Sequence, residues 1–451
     1  MFEPSKKCIF ANGTQIFEAM ERKLFPDLIK WKDREGRKPL LLLGVRQVGK
    51  TWLMKEFGRR CFDNVAYINC DAEPLAASLF TDYDIDRILF SIQAITGVKP
   101  VAGKTLIILD ELQQVERGLH SLKYFCENAP QYHVVAAGSL LGITLGQKES
   151  FPVGKVDMLH VHPMDFEEFL QANAPQLLEV LQKGDWKMVD VFATKFEDQL
   201  RQYYFVGGMP EVVADFVARH DQSSVRQLQQ NILNAYRNDI SKHTTPTESM
   251  RIGQVLDSLP SQLAKENKKF IYGVIRKGAR AKEFELAIQW LVDAGIVCRV
   301  HRVKEIKMPV KFYEDLAAFK LFLCDCGLLG CMAGASPKQM LMDNNVFTES
   351  KGAFTEEYVM QQLVAAGLTP YYWSNDSTPA EIDFVVQNDE AVYPIEVKAE
   401  DNVRAKSMAT YISSHPHDHL HGLRFSMKGY EQQSWMTNVP LYAISRVLKS
   451  L

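Results

Sequence analysis

No apolar run in the 451 residues approaches the roughly 18 needed to span a bilayer, and Met1-Phe2-Glu3-Pro4 lacks the basic start and apolar core of a secretory leader. Cysteine is sparse, eight in all, and scattered without the spacing of a disulfide framework. Its only cluster, Cys324-Asp325-Cys326 with Cys331, has no second Cys or His group at zinc spacing and reads as small buried apolar residues. Net charge is only −3, and no extended basic tail is present. These absences argue against a membrane span and a secreted disulfide scaffold, and lead us to expect a soluble cytoplasmic protein. Hydrophobic residues at 46% and charged residues at 24% also argue against extended disorder or a fibrous class. The length exceeds what one core sustains, so about three domains are expected.

What is present centres on Leu40-Leu41-Leu42-Leu43 running into Gly44-Val45-Arg46-Gln47-Val48-Gly49-Lys50-Thr51. This is G-x-x-x-x-G-K-T between an apolar strand and an amphipathic helical stretch, the context a P-loop requires. Gly44 and Gly49 let the backbone bend so that its N–H groups cradle phosphate. Lys50 then reaches the β- and γ-phosphates of ATP, and the Thr51 hydroxyl is placed for Mg²⁺. A second apolar run, Thr105-Leu106-Ile107-Ile108-Leu109, ends in Asp110 and Glu111 at the same sheet edge. Acidic residues also start helices, but beside a P-loop Asp110 is expected to hold Mg²⁺ and Glu111 to polarise the attacking water. A later strand, Tyr132 to Ala137, leads to Ser139, which either senses the γ-phosphate or N-caps the next helix.

The remaining pattern divides the chain into a helical lead-in (1–39), a P-loop ATPase core (40–163), a helical region (164–244), a winged helix (245–310) and a final α/β unit (311–451). Gly207-Gly208-Met209-Pro210 reads as a turn between two helices. Residues Lys265 to Lys311 hold twelve Lys or Arg against five Asp or Glu, with the excess on the turn and ribbon expected of a winged helix. DNA is the partner that charge suits. Glu283 and Glu285 on the second helix oppose phosphate, so a module used only for packing stays open.

In the last unit a helix from Ala353 to Ala366 carries Glu356 and Glu357, and the runs Ala380 to Gln387 and Ala391 to Lys398 form a hairpin. Asp383 falls alongside Glu396 and Lys398, with Ile382, Phe384, Ile395 and Val397 alternating inward. Two carboxylates able to share Mg²⁺ or Mn²⁺, with a lysine beside them, suit metal-assisted phosphodiester hydrolysis; a cross-strand ion pair is the plainer alternative.

With these motifs in view, the whole chain resembles a bacterial and archaeal family of AAA-type P-loop ATPases. Its members carry a C-terminal domain of unknown function similar to restriction-endonuclease-like nucleases. The resemblance implies an α/β architecture and nucleotide binding by Gly44, Gly49, Lys50, Thr51, Asp110 and Glu111, with Ser139 in the sensor position. For the nuclease-like core it implies Glu356 with Asp383, Glu396 and Lys398. No arginine finger is legible, so hydrolysis within one chain and hydrolysis in a homo-oligomer both stay open. A regulatory NTPase switch whose nuclease-like domain binds a partner or nucleic acid without cleaving it is the alternative to a DNA-directed nuclease.

Overall fold

A computed structural model of the protein describes residues 20–138, 152–265, 268–341, 348–399 and 405–451. Five strands, β1 (Leu40–Leu43), β2 (Asn64–Asn69), β3 (Thr105–Asp110), β4 (His133–Ala137) and β5 (Asp157–His160), form one parallel sheet in the order β2-β3-β4-β1-β5. β1 and β3 are apolar almost throughout because both faces of this sheet are covered. Leu40 and Leu42 enter one core with Leu28, Leu53 and Phe57, while Leu41 and Leu43 enter a second with Ile88, Ile92 and Leu122. All strands run the same way, so the turns after β1 and β3 emerge at one edge, one strand apart.

Helices fill the expected helical region. Asp165 caps Phe166–Asn173 in a capping box with Glu168, and Thr245 does the same with Glu248 at Pro246–Leu263. Between them lie Ala193–Val206, Pro210–Arg219 and the long helix Gln222–His243. The second helix of the basic region, which carries Glu283 and Glu285, forms over Ala281–Asp293.

The ribbon expected as a wing does not stand free. β6 (Val297–Val303) pairs antiparallel with β7 (Glu314–Leu323) and also parallel with β8 (Tyr371–Ser374), through Arg302↔Tyr372 and Val303↔Trp373. It thereby joins β9 (Glu381–Gln387), β10 (Val392–Val397), β11 (Gly422–Ser426), β12 (Glu431–Gln432) and β13 (Met436–Pro440). The result is one eight-stranded sheet, β12-β13-β11-β10-β9-β8-β6-β7, which runs across residue 310.

Helix Thr348–Ala365 covers one face of this sheet and helix Lys406–Ser414 the other. The hairpin has the expected register, with Ile395 opposite Phe384. The four alternating apolar residues are all buried, but not on one side as the alternation suggested. Phe384, Ile395 and Val397 enter the main core, whereas Ile382 packs with Met408 and Tyr411. The break coincides with a slip in β8–β9 pairing between Tyr371 and Trp373, which shifts the pleat.

Candidate functional site

The loop after β1 wraps tightly. Gly44 has φ +145°, and a Cβ there would stand 2.3 Å from the Val161 carbonyl oxygen. Gly49 has φ +93° where the helix Lys50–Cys61 begins. Lys50, 6% exposed, donates to the carbonyls of Gly44 at 2.7 Å and Val45 at 3.0 Å. Burial draws its ammonium down to about 8; Glu111 and Asp110 pull upward and Arg46 adds to the lowering. Asp110 Oδ2 accepts from the Thr51 hydroxyl at 2.7 Å and the Tyr67 hydroxyl at 3.1 Å, while burial raises its pKa. Glu111, at φ +52°, accepts from Gln113 Nε2 at 2.6 Å. Ser139 lies outside the described residues.

A cavity of about 270 Å³ beside this loop is lined by Lys50, Thr51 and Glu111, and also by Arg22, Arg46 and Pro210, which the sequence pattern did not single out as ligands. Arg22 is buried and holds the loop in place, donating to the carbonyls of Val48 at 3.1 Å and His162 at 2.6 Å and pairing with Glu168 at 3.0 Å. Arg46 pairs with Asp239 of the long helix at 2.6 Å. Pro210 opens the helix after Gly207-Gly208, so the turn does join two helices and also forms a wall of the cavity. The buried carboxylate of Asp325 clamps that turn: Gly208 N donates to Oδ2 at 2.5 Å, Leu328 N to Oδ1 at 2.9 Å, and Gln361 Nε2 to Oδ2 at 3.3 Å. A glycine signal in the sequence marks the turn; nothing local marks Asp325.

The second candidate site brings together Glu356, Asp383, Glu396 and Lys398. Asp383 Oδ2 accepts from Val397 N at 2.7 Å, and Lys398 Nζ lies 2.6 Å from Glu396 Oε1. Two further lysines, missed from the sequence, enter the cluster. Lys268 pairs with Glu356 Oε1, and fully buried Lys320 pairs with Glu381 and stands 3.7 Å from Glu356 Oε2. Burial pushes the Asp383 carboxyl well above the usual range, reinforced by Glu356 and Glu396. Burial acts the same way on Glu356, but Lys268 and Lys320 outweigh it and hold that carboxyl low. Among the described residues no three His, Cys, Asp or Glu side chains converge as metal ligands would. The donor set still suits a hard cation, since Glu356 Oε2 and Glu396 Oε2 are buried without a hydrogen-bond partner.

On the basic module, Arg276 pairs with Glu283, Arg299 with Glu285 at 3.1 Å and Arg302 with Asp315 and Asp376. Much of its charge is thus spent internally, while Lys277, Arg280 and Lys282 are exposed.

Comparison with known families places an AAA domain at residues 36–170, a domain of unknown function (DUF8612) at 197–339 and another (DUF4143) at 351–444. The AAA match covers the strand–loop–helix and the Asp110–Glu111 strand, so this α/β core, with its parallel sheet, is that of a P-loop ATPase. A search of curated proteins finds no match. Among solved structures, the Walker-type ATPase PABY2304 of Pyrococcus abyssi is similar at 15% identity, with 69% of this chain and 95% of that one covered and a TM-score of 0.43. The Aeropyrum pernix ORC1 protein in complex with DNA follows at 13% identity, 72% and 93% coverage and a TM-score of 0.26.

Proposed function

We propose that the protein binds and hydrolyses ATP at the β1 loop and couples nucleotide state to a metal-dependent, nuclease-like C-terminal domain acting on DNA. In this reading Gly44, Gly49 and Lys50 hold the phosphates, Thr51 and Asp110 hold Mg²⁺, Glu111 aligns water, and Ser139 senses the γ-phosphate. Glu356, Asp383 and Glu396 hold Mg²⁺ or Mn²⁺, and Lys398 faces the scissile phosphate. The winged helix of residues 245–310 presents Lys277, Arg280 and Lys282 to the DNA backbone, and its ribbon is fused to the nuclease-like unit of 311–451.

One observation carries the coupling. The turn that walls the phosphate cavity is bonded through Gly208 to Asp325, and Asp325 to Gln361, which lies five residues along the same helix from Glu356. A shift of that turn on ATP binding therefore has a direct route to the carboxylate cluster. The interleaved lysines favour a second reading, a nucleotide-driven switch whose C-terminal domain binds DNA or a partner without cutting. Incubating the full chain with plasmid and Mn²⁺, with and without ATP, separates the two. Cleavage that requires Asp383 and responds to Lys50→Ala supports the first; ATP-dependent DNA binding with no cleavage supports the second.

A further inference from the structure

The three lysines in the C-terminal cluster come from different parts of the chain. Lys398 follows β10 and Lys320 belongs to β7, but Lys268 reaches in from the connection between helices Pro246–Leu263 and Ala281–Asp293. It is held there firmly. Two residues on, Phe270 N donates to the Phe319 carbonyl at 2.8 Å, and the two rings stack 5.5 Å apart. A lysine only 8% exposed has lost its hydration and is tolerated because it meets a carboxylate.

That carboxylate is not fully satisfied. Glu356 and Glu396, 7% and 6% exposed, each keep one buried oxygen without a hydrogen-bond partner. Unsatisfied carboxylate oxygens are costly, and beside Asp383 a hard divalent cation would satisfy that of Glu396 and replace the long 3.7 Å contact of Glu356 Oε2 with Lys320. With the Lys268 ammonium on Glu356 and the Lys398 ammonium on Glu396, two acceptors of that set are already met by positive charges.

We infer that Lys268 competes with the divalent cation for Glu356, so that the winged-helix module holds the C-terminal site in a metal-poor state until Lys268 exchanges the carboxylate for a phosphodiester oxygen. The inference rests on reading Glu356, Asp383 and Glu396 as a metal site. It adds that the connection preceding the basic turn sets that site's affinity. A phosphodiester is the fitting alternative partner because Lys268 belongs to a stretch with a local excess of positive charge, Lys265 to Lys311.

The test is a calorimetric Mn²⁺ titration of the full chain, free of nucleotide and DNA, in wild type, Lys268→Gln, Lys268→Arg and Asp383→Ala. Lys268→Gln should bind Mn²⁺ at least about tenfold more tightly than wild type, because it removes a unit charge beside the ligands, and Lys268→Arg should stay near wild type. Lys268→Met, which buries no polar head group, repeats the measurement if the glutamine variant melts early. Equal affinities in wild type and Lys268→Gln, both lost with Asp383→Ala, would overturn the competition and leave the metal site standing. No binding in any variant, or binding indifferent to Asp383→Ala, would overturn the metal reading and the competition with it.

Discussion

The hydroxyl of Thr51 donates to Asp110 Oδ2 at 2.7 Å, joining two residues that stand 59 positions apart in the chain. The end of the β1 loop and the end of β3 therefore face one point, with Glu111 adjoining. Thr51→Val should leave ATP binding in EDTA unchanged but remove about tenfold or more of its tightening by Mg²⁺. Glu111→Gln should retain MgATP while turnover falls roughly 10²- to 10⁴-fold. Fluorescent-nucleotide binding and phosphate release measure the two; undiminished turnover in Glu111→Gln would reassign the water-aligning role.

Lys50 makes nucleotide binding and stability pull in opposite directions. Its pKa falls from 10.5 in the unfolded chain to about 8 when buried, so between those values the unfolded state holds more protons and stability rises with pH. Below about pH 8 the full cost of the buried charge is present. Lys50→Met should abolish ATP binding yet stabilise the nucleotide-free protein at pH 7 by roughly 1–3 kcal/mol, and the gain should shrink towards pH 10. Melting curves at the two pH values decide it; a destabilised Lys50→Met at pH 7 would show that the bonds to Gly44 and Val45 outweigh desolvation.

Gly208 has no room for a side chain, since a Cβ would lie 2.1 Å from the Met164 carbonyl oxygen. Gly208→Ala should cost roughly 1–3 kcal/mol and weaken ATP binding by displacing Pro210 from the cavity wall. Asp325→Asn keeps the shape but loses charge-assisted acceptance from Gly208 N. It should change the response of the C-terminal domain to ATP more than ATP affinity itself, read as protease protection with and without nucleotide. An Asp325→Asn protein with a wild-type ATP response would break the proposed route.

For the basic module, Lys277→Glu with Arg280→Glu should weaken DNA binding and flatten its salt dependence by about one log–log unit per lost phosphate contact. Arg276→Glu should also lose its pairing with Glu283, so part of its effect belongs to the module's own stability. Titration across salt concentrations separates the two, and an unchanged slope in the double variant would place DNA elsewhere.

The ATPase core was legible because its signals are local. A four-leucine strand, a glycine loop and a buried run ending in two acids each declare themselves within a dozen residues. The hairpin carrying Asp383 and Glu396 was legible for the same reason. Arg22 was not, since its partner Glu168 lies 146 positions away, nor was Lys268, whose partner Glu356 is 88 away. Neither pair leaves a periodic trace. The inward alternation read for Ile382 failed because a slip in strand pairing moves the pleat, and no side-chain pattern records that.

The parallel pairing of β6 with β8 bears on how the molecule can be cut. A break at residue 310 would separate β7 from β6 and leave the backbone groups of β8 unpaired along one side, an invitation to pair with another chain. A fragment beginning there should aggregate, while one that retains the helices from Pro246 onward keeps every strand of the sheet. Limited proteolysis should accordingly release the C-terminal half as a piece that includes the basic module.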